Sequence, residues 1–133
     1  MREVIDTNIL VSALLTPGGI PAQLLAAIRN QALTPVVSKD VLAEYAEVLS
    51  RPKFGFASDR IASLLVDMKG LALFMRPQPV SLQNLPDPDD AIFIAAALTA
   101  GCLIVTGNGK HFPPKTGIEI LSPAEALARL QTA

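Results

Sequence analysis

The stretch DPDDAIFIAAALTAGCLIVTGN, residues 87–108, decides the fold. Asp87-Pro88-Asp89-Asp90 opens a helix of small apolar side chains that runs to Ala100, and Gly101 closes it. Cys102-Leu103-Ile104-Val105-Thr106 follows at once, nearly all apolar, as a strand buried on both faces. A helix that passes through one short turn into such a strand is the repeating unit of a parallel sheet.

The same alternation continues in both directions. Toward the N-terminus, Val4-Ile5 leads a short strand ending on Asp6-Thr7-Asn8, and Ile9–Leu15 reads as one or two helical turns closed by Thr16-Pro17-Gly18-Gly19. Pro21 suits a first helical turn, with Leu24, Leu25 and Ile28 at helical spacing behind it. Pro35-Val36-Val37 is a second strand. Ser38 caps a helix over Lys39–Ser50, and a further helix starts at Ser58-Asp59, carries Ile61, Leu64, Leu65 and Met68 on one face and ends at Gly70. Leu71–Met75 is a third strand. Toward the C-terminus, Ile118–Leu121 is a fifth strand and Ser122-Pro123-Ala124-Glu125 is a capping box that starts the last helix. The pattern predicts a single domain over residues 1–133, a three-layer α/β/α sandwich on a parallel, mostly five-stranded sheet.

Composition narrows the function. The chain has 133 residues, half of them apolar, with 11 Lys+Arg against 12 Asp+Glu and a net charge of −1. That balance excludes a binder that holds nucleic acid by dense positive charge, but not a nuclease, whose acidic metal site subtracts from the count. One cysteine, Cys102, and one histidine, His111, exclude a thiolate zinc cluster and any two-imidazole site. No signal peptide is visible after Met1, and the uncharged stretch Ala91–Gly109 is broken by Gly101, Gly107 and Asn108. The expectation is a soluble, cytoplasmic protein without a membrane span.

In an open parallel sheet, ligands bind beyond the carboxyl ends of the strands where the strand order reverses. Two strands end in oxygen-bearing groups there: the first at Asp6-Thr7-Asn8 and the fourth at Thr106-Gly107-Asn108. If these strands are neighbours, Asp6 and Asn108 face one another, although helix capping also accounts for Asp6. Glu44 lies about 40° from the edge of the apolar arc formed by Val41, Leu42, Tyr45, Val48 and Leu49, at ~100° per residue, whereas Glu47 points into water. A boundary glutamate that snorkels to solvent also accounts for Glu44. Capping explains one or two of Asp87, Asp89 and Asp90; three together repel one another unless a cation sits among them. Asp6, Glu44, Asp90 and the amide oxygen of Asn108 are hard oxygen donors of the kind that suits Mg²⁺ or Mn²⁺ rather than zinc. No phosphate-cradling Gly-Lys-Ser/Thr loop occurs, and Gly107-Asn108-Gly109 lacks the third glycine of a dinucleotide fingerprint.

Four segments in order resemble the PIN-domain ribonucleases, of the VapC-like kind found as the toxin component of bacterial toxin–antitoxin pairs. They are Val4–Asn8; Val41–Tyr45 with Arg51-Pro52-Lys53-Phe54; Asp87–Asp90 with the small apolar helix behind it; and Ile104–Asn108 followed by His111-Phe112. The resemblance implies an endoribonuclease dependent on Mg²⁺ or Mn²⁺, with Asp6, Glu44 and Asp90 as metal ligands. It also implies an RNA substrate, a cognate antitoxin and a homodimer. Where the family usually carries a fourth acidic residue, this chain has Asn108, which offers an oxygen but no charge. Thr7, Asn8, Asp87 and Thr106 are placed to hydrogen-bond the ligands and fix their orientation, and Lys110, Arg51 and Lys53 are candidates for substrate phosphate. The alternative reading is a catalytically weak or inactive PIN-like domain that binds RNA or protein, and Asn108 with the modest number of cations is its reason.

Overall fold

The fold was obtained as a computed structural model, in which residues 1–78, 88–112 and 117–132 are described. The order is β1 (Arg2–Ile5), α1 (Thr7–Leu15), α2 (Ile20–Arg29), β2 (Thr34–Val37), α3 (Lys39–Leu49), α4 (Ser58–Leu71), β3 (Leu73–Phe74), α5 (Ala91–Ala100), β4 (Leu103–Val105), β5 (Ile120–Leu121) and α6 (Pro123–Thr132). Short 3₁₀ turns occupy Pro52–Phe54, Pro88–Asp90 and Gly109–His111. The five strands form one parallel sheet in the order β3-β2-β1-β4-β5. The chain winds outward from β1 to β2 and β3, then returns through α5 to β4 on the other side of β1. On that return α5 packs against β1, β2 and β4, and its N-terminal half meets α3.

The expected elements are present, with shifts at their ends. α1 begins at Thr7 rather than Ile9 because Asp6 accepts a hydrogen bond from the Thr7 N–H at 2.8 Å and caps it. Ser38 caps α3 through the Val41 N–H at 3.1 Å. The Ser122–Glu125 box closes in both directions, at 2.9 and 3.1 Å. Gly70 does not end α4, which runs on to Leu71. Nothing there demands a left-handed residue, and β3 shrinks to two residues on the sheet edge. Gly101, by contrast, ends α5 at φ +65°, a conformation that glycine adopts without strain.

Leu64 and Met68 of α4 are buried, Leu65 is half-buried, and Val66 is 69% exposed, so that stripe is mostly core. Among the described residues no single helix is long and apolar enough to cross a membrane.

β1 and β4 are adjacent, with Val4 opposite Ile104 and Ile5 opposite Val105. The Asp6 N–H continues this ladder onto the Val105 carbonyl at 2.9 Å. The point where strand order reverses is therefore bracketed by Asp6 on one strand and Thr106 on the other.

Glu3, at the opposite end of β1, is fully buried, and neither carboxylate oxygen has a hydrogen-bond partner. Burial pushes its pKa up to about 7, against the pull of the N-terminal ammonium and Arg129. The folded chain thus holds a proton that the unfolded chain releases, and stability falls as pH rises from 4.5 to about 7, then levels off. Glu3→Gln is expected to match the wild type in melting temperature at pH 4.5 and to exceed it by several degrees at pH 8. Parallel melting curves across this range check it.

Candidate active site

Each acidic side chain is placed by a different element. Asp6, 8% exposed, stands at the end of β1. One of its oxygens caps α1, and the other accepts the Thr106 hydroxyl at 2.7 Å. Thr106 Oγ1 in turn accepts the Asn108 N–H at 3.0 Å and the Asn8 side-chain amide at 3.5 Å, while Asn8 Oδ1 accepts the Gly107 N–H at 3.3 Å. This web joins the β1–α1 turn to the loop after β4 and fixes the Asp6 carboxylate.

Asp90 is buried at the last residue of its 3₁₀ turn. It occupies the N-cap position of α5 but makes no side-chain cap hydrogen bond, so capping does not account for it. Glu44 is half-buried on α3, at the boundary its angle predicts, and the next residue, Tyr45, points inward. The fully buried Tyr45 hydroxyl donates to the Ile5 carbonyl at 2.5 Å, and the ring lies tilted against Phe93, centroids 6.3 Å apart. Burial first, then the negative charge of Asp6, drives the Tyr45 pKa far above the ordinary phenol value. Tyr45 ties the helix carrying Glu44 to the strand carrying Asp6. Tyr45→Phe leaves a buried carbonyl short of a donor and is expected to cost about 1–3 kcal/mol of stability. Chemical denaturation would read this as a lower midpoint at unchanged slope.

These elements enclose a cleft of about 360 Å³ lined by Asp6, Thr7, Asn8, Glu44, Asp90 and Asn108 together with Arg51 and Lys53. Asp89, Val48 and Phe93 complete the wall. Of the other candidates, Thr106 lies buried behind Asp6, and Lys110 is exposed on the turn after β4 and does not line the cleft. Asp87 lies outside the described residues. Sequence reasoning missed Asp89, which sits inside the quoted acidic run, and Tyr45, whose only signal was its place beside Glu44.

Arg51, which starts the 3₁₀ turn after α3, is gripped by Glu47 through Nε–Oε1 at 3.2 Å and Nη2–Oε2 at 2.9 Å. That pairing, with smaller contributions from Glu44 and Asp89, raises its already high pKa. The cleft thus carries both carboxylates and cations on its lining.

The donor set fits a hard divalent cation. Carboxylate, amide and hydroxyl oxygens are what Mg²⁺ and Mn²⁺ prefer, and the buried Thr7 Oγ1 on the cleft wall has no hydrogen-bond partner. Among the described residues no three His, Cys, Asp or Glu side chains close around one point. The described residues therefore form no all-protein cage. Mg²⁺ suits such a place, since it keeps several waters and takes one or two carboxylates.

Residues 2–110 match the PIN domain family. The uncharacterized protein MJ1680 of Methanocaldococcus jannaschii is 29% identical over 111 residues, 81% of this chain and 71% of its own length. Among solved structures, VapBC-1 from nontypeable Haemophilus influenzae superposes with a TM-score of 0.60 over 93% of this chain and 99% of the matched one, at 16% identity, a likeness of fold. With the family match spanning β1 through the turn after β4, and every cleft-lining residue inside it, the chain belongs to the PIN domain family.

Proposed function

We propose that this chain is a single-domain, Mg²⁺- or Mn²⁺-dependent endoribonuclease. The observation that carries the reading is the meeting of Asp6, Glu44, Asp90 and Asn108 on one cleft, where the order of the parallel strands reverses. Asp6 and Asp90 would hold the cation directly, with Glu44 as a further ligand or as the group that orients the attacking water, and Asn108 on the cation's water shell. A divalent cation bound there lowers the pKa of water and neutralises charge on the phosphoryl oxygens.

The chain's own groups do the rest. Thr106 and the Thr7 N–H hold Asp6 in one orientation. Tyr45 keeps α3, and with it Glu44, at a fixed distance from β1. Glu44, at the solvent boundary, aligns a water in line with the scissile phosphodiester.

The resemblance of the sequence to VapC-like toxins, with the likeness of fold to VapBC-1 beside it, supports a toxin with a protein antitoxin as partner, and we take the cytoplasm as its place of action from the sequence reading. The exposed Leu15, Ile20, Val66 and Phe74 offer apolar area for that contact or for a homodimer. The competing reading, a binding module without activity, rests on Asn108 and on the modest number of cations in the chain. Product chemistry tests the proposal: water attack leaves no 2′,3′-cyclic phosphate at any time, and every cut requires the cation. A cyclic phosphate, or cutting in excess chelator, would refute it.

A further inference from the structure

We propose that the turn Arg51–Phe56 is a nucleotide platform, on which one base of a single-stranded RNA stacks while its phosphate is held at the rim of the acidic cleft. The inference rests on the ribonuclease reading only for the identity of the strand. Among the described residues, Arg51 and Lys53 are the only cations lining the cleft, and both come from this one turn. Just beyond them, the rings of Phe54 and Phe56 stack with centroids 5.6 Å apart and planes 14° from parallel. Gly55 makes the bend between them at φ +64°, with nothing within 4 Å of where a side chain would stand.

The exposed Lys53 holds its ammonium 5.1 Å from the centroid of the Phe54 ring. Packing alone explains why both rings are half-buried, but it does not put a solvent-borne cation on a ring face. A face that a lysine ammonium reaches from solvent is reachable by a flat base. The flexible lysine stem then lets the ammonium leave the ring for the phosphate. Glu47 meanwhile fixes the Arg51 guanidinium in place through two bonds.

Charge sets the direction of approach. The carboxylates that line the cleft repel a phosphodiester, so a strand is drawn in over the cationic turn. Duplex RNA buries its base faces in its own stack, whereas a single strand can offer one. Stacking is sequence-tolerant, because every base has a π face.

The chain contains no tryptophan, so Phe54→Trp supplies a single indole reporter. The probe is a mixed-sequence eight-nucleotide RNA in Ca²⁺, an oxygen-seeking cation that screens the carboxylates. Saturable quenching of the indole is expected with this strand, and none with a duplex of equal length or an abasic strand of equal charge. Phe54→Leu, which keeps apolar bulk, should weaken binding about tenfold by anisotropy. Lys53→Met should reduce the slope of log affinity against log salt by about one. An unquenched indole at saturating RNA, equal quenching by the abasic strand, or wild-type affinity in a folded Phe54→Leu would overturn the platform. Since the readout is binding, quenching without any cleavage in Mg²⁺ would keep the platform and remove the ribonuclease. Cleavage with an unquenched indole would do the reverse.

Discussion

Asp6→Asn is expected to lower RNA cleavage by about a thousandfold, because loss of a charged ligand forfeits several kcal/mol of transition-state stabilisation. Its thermal melt should stay close to that of the wild type. The two halves of this result have separate physical origins. As a helix cap, asparagine ranks with aspartate, and its carbonyl can accept the Thr7 N–H as Asp6 does. The Thr106 hydroxyl, which donates to Asp6 in the native chain, can turn and accept from the new amide instead. What the substitution removes is a negative charge beside the cleft. Single-turnover cleavage and a melting curve on the same preparation separate the two roles. Activity at wild-type level would remove Asp6 from the site, and a collapsed melt would make it a structural residue.

Asn108→Asp should act in the opposite direction. It adds a fifth carboxylate, at an exposed position, to the four of Asp6, Glu44, Asp89 and Asp90 that line the cleft. A further unit charge a few ångströms from a divalent cation is worth at least ~1.4 kcal/mol at intermediate dielectric, so the Mg²⁺ concentration for half-maximal cleavage should fall about tenfold. Without metal the added repulsion should lower the melting temperature slightly. With Mg²⁺ the variant should gain more stability than the wild type, since ligand binding stabilises in proportion to its tightness. An unchanged Mg²⁺ requirement would mean that Asn108 lies outside the cation's reach.

The fold was legible because its signals are local and redundant. Apolar runs of strand length, Ser38 and the Ser122–Glu125 box each mark a boundary by themselves, and the structure keeps them all. Boundaries failed where tertiary context outweighs local preference. Gly70 reads as a helix stop in sequence, yet α4 passes through it because no left-handed turn is required there. The acidic cluster was legible for a different reason: capping could not account for all of the carboxylates, and Asp90 indeed makes no cap hydrogen bond. The supporting contacts were not legible. The bonds from Tyr45 to Ile5 and from Thr106 to Asp6 span 40 and 100 residues, and no spacing rule reaches that far. The pairing of Phe54 with Phe56 was hidden for a similar reason, since its geometry depends on a left-handed bend at Gly55.

The most direct test is to strip the purified chain of metal, offer it a panel of single-stranded RNAs, and add Mg²⁺ or Mn²⁺ back, with Asp6→Asn alongside. The account predicts products only after the metal returns, and about a thousandfold less from the variant. Products in excess chelator, or an intact panel at every metal concentration despite a native melting curve, would contradict it.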